Sequence, residues 1–190
     1  MKKGYIYTII FMAVVSIVFT GLLAGVNAAY KKRIEKNQDT AVKSSILASV
    51  GISTEDADKE FGDKAAEKEL DGIVYYLIET GTGTAYSIPF EGPGLWGTIK
   101  GYIGVSADFT QIKGLAFTEQ NETPGLGGRI DEDWYKEQFM DTPLSGSISY
   151  GTESGLDAIT GATSTSNAVL KILNNFIDTT LKELEEAHEE

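Results

Sequence analysis

The chain has 190 residues, a formal net charge of −12 and no cysteine. The missing thiols exclude disulfides, thiolate zinc sites, cysteine-ligated iron–sulfur clusters and thioether-attached haem. The single histidine, His188, lies in an acidic tail where solvation is expected, so serine-hydrolase, cysteine-protease and histidine-metal chemistry lack their parts. Any redox chemistry therefore falls to an organic cofactor.

The acidity is unevenly spread. Six of the 16 basic side chains lie within the first 36 residues, against one of the 28 acids, Glu35. The remainder of the chain is strongly acidic, which argues against a nucleic-acid partner and for a soluble surface.

From Gly4 to Tyr30 no residue is charged, and residues 6–26 are almost all apolar. About 20 such residues span a bilayer as a helix, so 1–30 is expected to be a membrane anchor. A cleaved signal peptide is the alternative, with Val26-Asn27-Ala28 as its small-x-small site, but the apolar run exceeds a usual signal core. Lys31, Lys32, Arg33, Lys36 and Lys43 come after the anchor; the positive-inside rule would keep the domain beyond them in the cytoplasm.

Residues 31–70 are expected to run on as a helical stalk, with a helix start at Thr54-Glu55-Asp56. From Gly72 the pattern turns to strands: 73–78, 86–90, 97–105 and 112–117, the last two joined through Ala107-Asp108-Phe109-Thr110. A short helix over 131–140 is expected, capped by Asp131 and burying Trp134 and Phe139. A short strand near Ile148 precedes a long helix on which Val169, Ile172, Leu173, Phe176, Ile177, Leu181 and Leu184 form one apolar face. The fold class is α+β: a single N-terminal transmembrane helix, then antiparallel strands and a long C-terminal helix over 71–190.

Three stretches carry the chemistry. Gly92-Pro93-Gly94-Leu95-Trp96-Gly97 is a glycine turn presenting Leu95 and Trp96, and the indole would stack on a planar ring as readily as fill a core. Glu122-Thr123-Pro124-Gly125-Leu126-Gly127-Gly128 is a Pro-Gly turn with a flexible glycine run. Asp157-Ala158-Ile159-Thr160-Gly161-Ala162-Thr163 leads straight into the last helix. There Thr163, Ser164, Thr165 and Ser166 would cap the helix or turn a hydroxyl outward, and the free N–H groups of a helix start suit a phosphate.

The third stretch resembles the flavinylation motif of the FMN-binding domain family. That family includes the C subunit of the sodium-pumping NADH:quinone oxidoreductase and the G subunit of the Rnf ferredoxin–NAD oxidoreductase. The second stretch is similar to the family's E-T-P-G-L-G loop, and the first to a G-x-G-L-W stretch of the quinone oxidoreductase protein. The resemblance implies covalent FMN, joined through its phosphate to Thr163 by a separate flavin transferase, because nothing nearby would activate the threonine hydroxyl. It implies that Thr160, Gly161 and Ala162 belong to the attachment site and that Asp157 is recognised by the transferase, or helps it hold a metal or accept the hydroxyl proton, with Thr160, Ser164 and Thr165 as rival hydroxyls. Glu122, Thr123, Gly125, Leu126 and Gly127 would pack against the isoalloxazine, with Leu95 and Trp96 beside them. No catalytic residue and no metal is implied.

The expected function is then a membrane-anchored electron-transfer subunit of an ion-translocating complex, with other membrane subunits as partners and no independent turnover. The resemblance implies a single-pass protein of the cytoplasmic membrane whose FMN domain lies outside the cytoplasm, opposite to the charge rule. Leu95-Trp96 and the Glu122–Gly128 run followed by Arg129 lean toward the quinone oxidoreductase; the short chain leans toward the Rnf complex. A stand-alone extracytoplasmic flavoprotein carrier, and a cofactor-free anchored assembly protein in which Thr163 only caps a helix, are the alternatives.

Overall fold

A computed structural model describes residues 2–81, 83–152 and 154–189. The chain divides into two units, Met1–Asp39 and Thr40–Glu190. The first is the leading part of one helix, α1 (Lys2–Ser49). Its apolar side chains are bare: Tyr5 is 70% and Leu23 70% exposed. This helix is long and apolar enough to cross a membrane, a property that signal sequences share.

The second unit is α+β. After the last turns of α1 come α2 (Ala57–Lys64), β1 (Ala65–Leu70), β2 (Ile73–Thr80), β3 (Gly83–Pro93), β4 (Thr98–Ser106) and β5 (Ile112–Glu119). The strands form one antiparallel meander in the order β1-β2-β3-β4-β5. Then come a 3-10 turn (Gly127–Asp131), α3 (Asp133–Glu137), α4 (Thr163–Phe176), a π turn (Ile177–Leu181) and α5 (Lys182–Glu189).

Strand β1 is where the expected helical stalk fails. Its Ala-Ala-Glu-Lys-Glu-Leu is built of strong helix formers, yet it pairs with β2 from Ala65↔Ile78 to Leu70↔Ile73. Asp71 and Gly72 both take positive φ (49° and 84°), as a two-residue hairpin turn requires. Asp56 does cap α2, accepting from the Lys59 N–H at 3.2 Å.

The sheet buries both faces. One carries Ile88, Phe90, Ile99 and Ile103 against Val169, Ile172, Leu173 and Phe176 of α4. Ile78 and Ala85 of the other pack against Ile46, Leu47 and Val50 at the end of α1. Two glycines make that second contact: a Cβ on Gly104 would overlap the Ser49 carbonyl oxygen, and one on Gly114 would come within 2.7 Å of it. Ser49 donates to the Ile46 carbonyl at 2.7 Å and receives the Ser87 hydroxyl at 2.8 Å, so this buried junction is satisfied.

Other expectations are corrected locally. Asp131 does not cap a helix over 131–140; it ends the 3-10 turn and accepts from the Gln120 amide at 2.8 Å. Phe139 is fully buried, but Trp134 stays 39% exposed, because its indole N–H is taken by Glu132 and the Arg129 guanidinium lies over its ring. No strand forms at Ile148. Asn174 of α4 brackets it instead, accepting from its N–H at 2.7 Å and donating to its carbonyl at 2.9 Å. The tail histidine is not merely solvated: the His188 ring stands edge-on to Tyr86 and Phe109, each with centroids 5.2 Å away, and Nδ1 meets the Leu184 carbonyl.

Candidate functional site

The three glycine-rich stretches converge. A cavity of about 310 Å³ is lined by Leu95 and Trp96 from the β3–β4 turn, by Glu122, Thr123, Leu126 and Gly127 from the loop after β5, and by Gly161 through Thr165 at the start of α4. Its size lies at the lower end of ligand pockets.

Glu122 joins the three. It is 4% exposed; its Oε1 accepts from the N–H groups of Leu95 at 2.8 Å and Trp96 at 3.1 Å. Its Oε2 accepts from the Thr165 hydroxyl at 2.5 Å. Glycines make room for this carboxylate. A Cβ on Gly94 would lie 2.5 Å from Oε1, and one on Gly127 would lie 2.9 Å from Oε2. The turn that presents Leu95 and Trp96 is itself closed by Gly94 N–H donating to Gly97 O at 2.7 Å.

The floor of the cavity is the first turn of α4. Ala162 occupies the cap position and no side chain caps the turn, so the N–H groups of Thr163, Ser164 and Thr165 have no hydrogen-bond partner among the described residues. Thr163 is the first helical residue and its side chain is exposed. Of the four hydroxyls expected to cap the helix or turn outward, Thr163 and Ser164 are exposed and the other two are buried. Thr165 is 2% exposed and spent on Glu122. Ser166 is fully buried, donating to the Ala162 carbonyl at 3.1 Å while accepting from Ile159 N–H at 3.0 Å. Thr163 and Ser164 make no side-chain hydrogen bond among the described residues. Gly161 takes φ +81°, and a Cβ there would touch Leu126 at 3.5 Å, so the loop before α4 and the Pro-Gly loop meet at this residue.

A tyrosine pair, Tyr135 buried and Tyr150 half-buried, braces this turn. Tyr150 donates to the Ser166 carbonyl at 3.1 Å, and Tyr135 donates to the Tyr150 oxygen at 2.6 Å. Burial pushes both phenols above their usual range, and the neighbouring Tyr150 adds to the effect on Tyr135.

Not every expected site residue reaches the cavity. Asp157 is exposed and is held by its backbone N–H on Gln138 Oε1 at 2.6 Å. Thr160 is exposed and does not line the cavity. Gly125 shapes the Pro-Gly turn at φ +74° with open space around it. Leu95, Trp96 and Leu126 form an apolar rim around the cavity, with 55%, 69% and 46% of their surface exposed. What sequence reasoning missed is the bond between Glu122 and Thr165: neither residue type nor spacing announces a contact across 43 positions.

Residues 94–178 match the FMN-binding domain family. The chain is 34% identical over 109 residues to the C subunit of the Na(+)-translocating NADH-quinone reductase of Vibrio vulnificus, a match covering 50% of this chain and 43% of that relative. It is 29% identical over 182 residues to the G subunit of the ion-translocating oxidoreductase complex of Methanosarcina acetivorans, covering 93% of this chain and 95% of the relative. The matches thus span less than half of the Vibrio relative but nearly the whole of the Methanosarcina one. The fold is shared with the crystal structure of the C subunit of a Na(+)-translocating NADH-quinone reductase from Parabacteroides distasonis, at a TM-score of 0.68 and 22% identity, over 82% of this chain and 95% of that one. The family that this chain resembles is thus the FMN-binding domain family, matched over residues 94–178.

Proposed function

We propose that this protein is a membrane-anchored electron-transfer subunit carrying FMN in phosphoester linkage to Thr163, working inside an ion-translocating oxidoreductase complex. The observation that carries the reading is the cavity itself. An exposed threonine hydroxyl opens onto it from an uncapped helix start, and three apolar side chains rim it. These features fit the two ends of FMN. The open N–H groups of Thr163, Ser164 and Thr165 would hold the phosphate, and Leu95, Trp96 and Leu126 would cover the ring. Bound there, FMN would supply one- and two-electron transfer that no side chain of this chain offers.

Attachment calls for a flavin transferase, since no base touches the Thr163 hydroxyl among the described residues. The apolar helix α1 serves as the anchor, and tethering raises the concentration of the flavin near membrane partners. Those partners are the other membrane subunits of a complex of the quinone-reductase or Rnf type. The nearly complete overlap with the Methanosarcina relative favours an Rnf-type assembly. We place the FMN domain on the extracytoplasmic face, where a covalent bond prevents loss of the cofactor.

The deciding experiment is ultraviolet fluorescence of the denatured protein on a gel after co-expression with a flavin transferase. A band in the wild type that Thr163→Ala lacks is expected. A dark wild-type lane beside an active control would end this reading in favour of a cofactor-free assembly protein.

A further inference from the structure

We propose that the buried charge of Glu122 sets the reduction potential of the flavin, an inference that rests on the attachment of FMN at Thr163. The carboxylate lines the same cavity as Thr163 and is 4% exposed. Both its oxygens act as acceptors, toward two backbone N–H groups and one hydroxyl. Among the described residues no Lys, Arg or His pairs with it. An anion without a counter-charge is costly to bury.

Loop closure alone does not require that cost. A glutamine in the same place would accept from Leu95 and Trp96 through its amide oxygen and donate to the Thr165 oxygen through its amide nitrogen. The three segments would stay tied with no charge present. What the carboxylate adds over the amide is a fixed negative charge beside the ring. Taking up two electrons and one proton leaves the ring with one net negative charge. A carboxylate in the same low-dielectric cavity opposes that gain. Glu122 is thus a positioning residue for three loops and, separately, an electrostatic brake on reduction.

The test separates charge from clasp. Full-length flavinylated protein in detergent is titrated spectroelectrochemically, with electrons supplied through redox mediators, after gel fluorescence has established the covalent flavin. Glu122→Gln removes the charge and keeps the clasp; the reduced form is expected to gain at least about tenfold, ~30 mV for a two-electron couple. Thr165→Val keeps the charge and cuts one arm of the clasp, and no positive shift is expected. A Glu122→Gln protein with the wild-type potential overturns the proposal, as does a Thr165→Val protein shifted upward as far as Glu122→Gln. A Glu122→Gln chain that no longer takes up flavin also counts against it, because the amide keeps the three segments tied. A wild-type chain without a fluorescent band sinks the Thr163 reading and this inference with it, an outcome distinct from a flavinylated chain whose potential ignores Glu122.

Discussion

The Thr165 hydroxyl donates to Glu122 across 2.5 Å and thereby joins a helix start to a loop 43 residues earlier. Because the other carboxylate oxygen holds the Leu95 and Trp96 amides, removing this one side chain strands three donors at once. Glu122→Ala is expected to lower stability by about 2–4 kcal/mol. Glu122→Gln, which still accepts from the Leu95 and Trp96 N–H groups and donates to the Thr165 oxygen, should cost no more than ~1.5 kcal/mol. Urea unfolding of both variants decides this; equal midpoints at a common slope would refute the clasp.

The rival hydroxyls are separable in the same way. Ser164 shares the cavity with Thr163, whereas Thr160 does not line it and Thr165 is buried. Thr163→Ser should retain a fluorescent flavin band, and Ser164→Ala and Thr160→Ala should leave it at wild-type intensity. A band lost on Ser164→Ala but kept on Thr163→Ala would move the attachment one residue along the helix.

Glycines at two places predict opposite signs. A Cβ at Gly104 would overlap the backbone oxygen of Ser49, which has no soft direction to yield. Gly104→Ala should destabilise by about 2–3 kcal/mol. Gly62 lies within α2 with open space where a Cβ would stand, so Gly62→Ala should stabilise by roughly 0.5–1 kcal/mol. Thermal melting of the two variants should bracket the wild type from either side.

Alkaline pH probes the tyrosine pair. A phenol whose folded pKa is raised adds stability that is complete below its unfolded pKa, about 10, and drains away as pH climbs past it. Burial raises Tyr135 first, with Tyr150 adding to it. Wild-type stability should therefore fall steeply above about pH 10. Tyr135→Phe should show a shallower fall over the same window and a loss of about 1 kcal/mol at neutral pH, from the hydrogen bond to Tyr150. Denaturant midpoints between neutral pH and about pH 11 give the slope; an unchanged slope would separate Tyr135 from the alkaline transition.

Much of the fold was legible where pattern and physics coincide. The apolar face of residues 169–184 became the α4–α5 surface that covers the sheet, with Val169, Leu173, Phe176 and Leu184 all buried. The alternation in β4 and the turn before β5 came out as expected. Strand β1 did not, because Ala65 to Leu70 favours a helix locally and only the β2 partner overrides it. Trp134 departs from expectation for a related reason: its size suggests burial, but Arg129 and Glu132 hold it at the surface.

For the candidate site, the sequence alone determined the parts. It marked out the three glycine-rich stretches, the threonine closing Gly161-Ala162-Thr163, and the absence of any thiol chemistry, because these depend on residue types and short spacings. Only the tertiary structure decided which parts meet. It spent Thr165 on Glu122, turned Thr163 outward, left Asp157 and Thr160 off the cavity and buried a carboxylate whose partners among the described residues include no cation. The physical reason is that a hydrogen bond between distant residues depends on how the meander and α4 pack, and local composition holds no record of that packing.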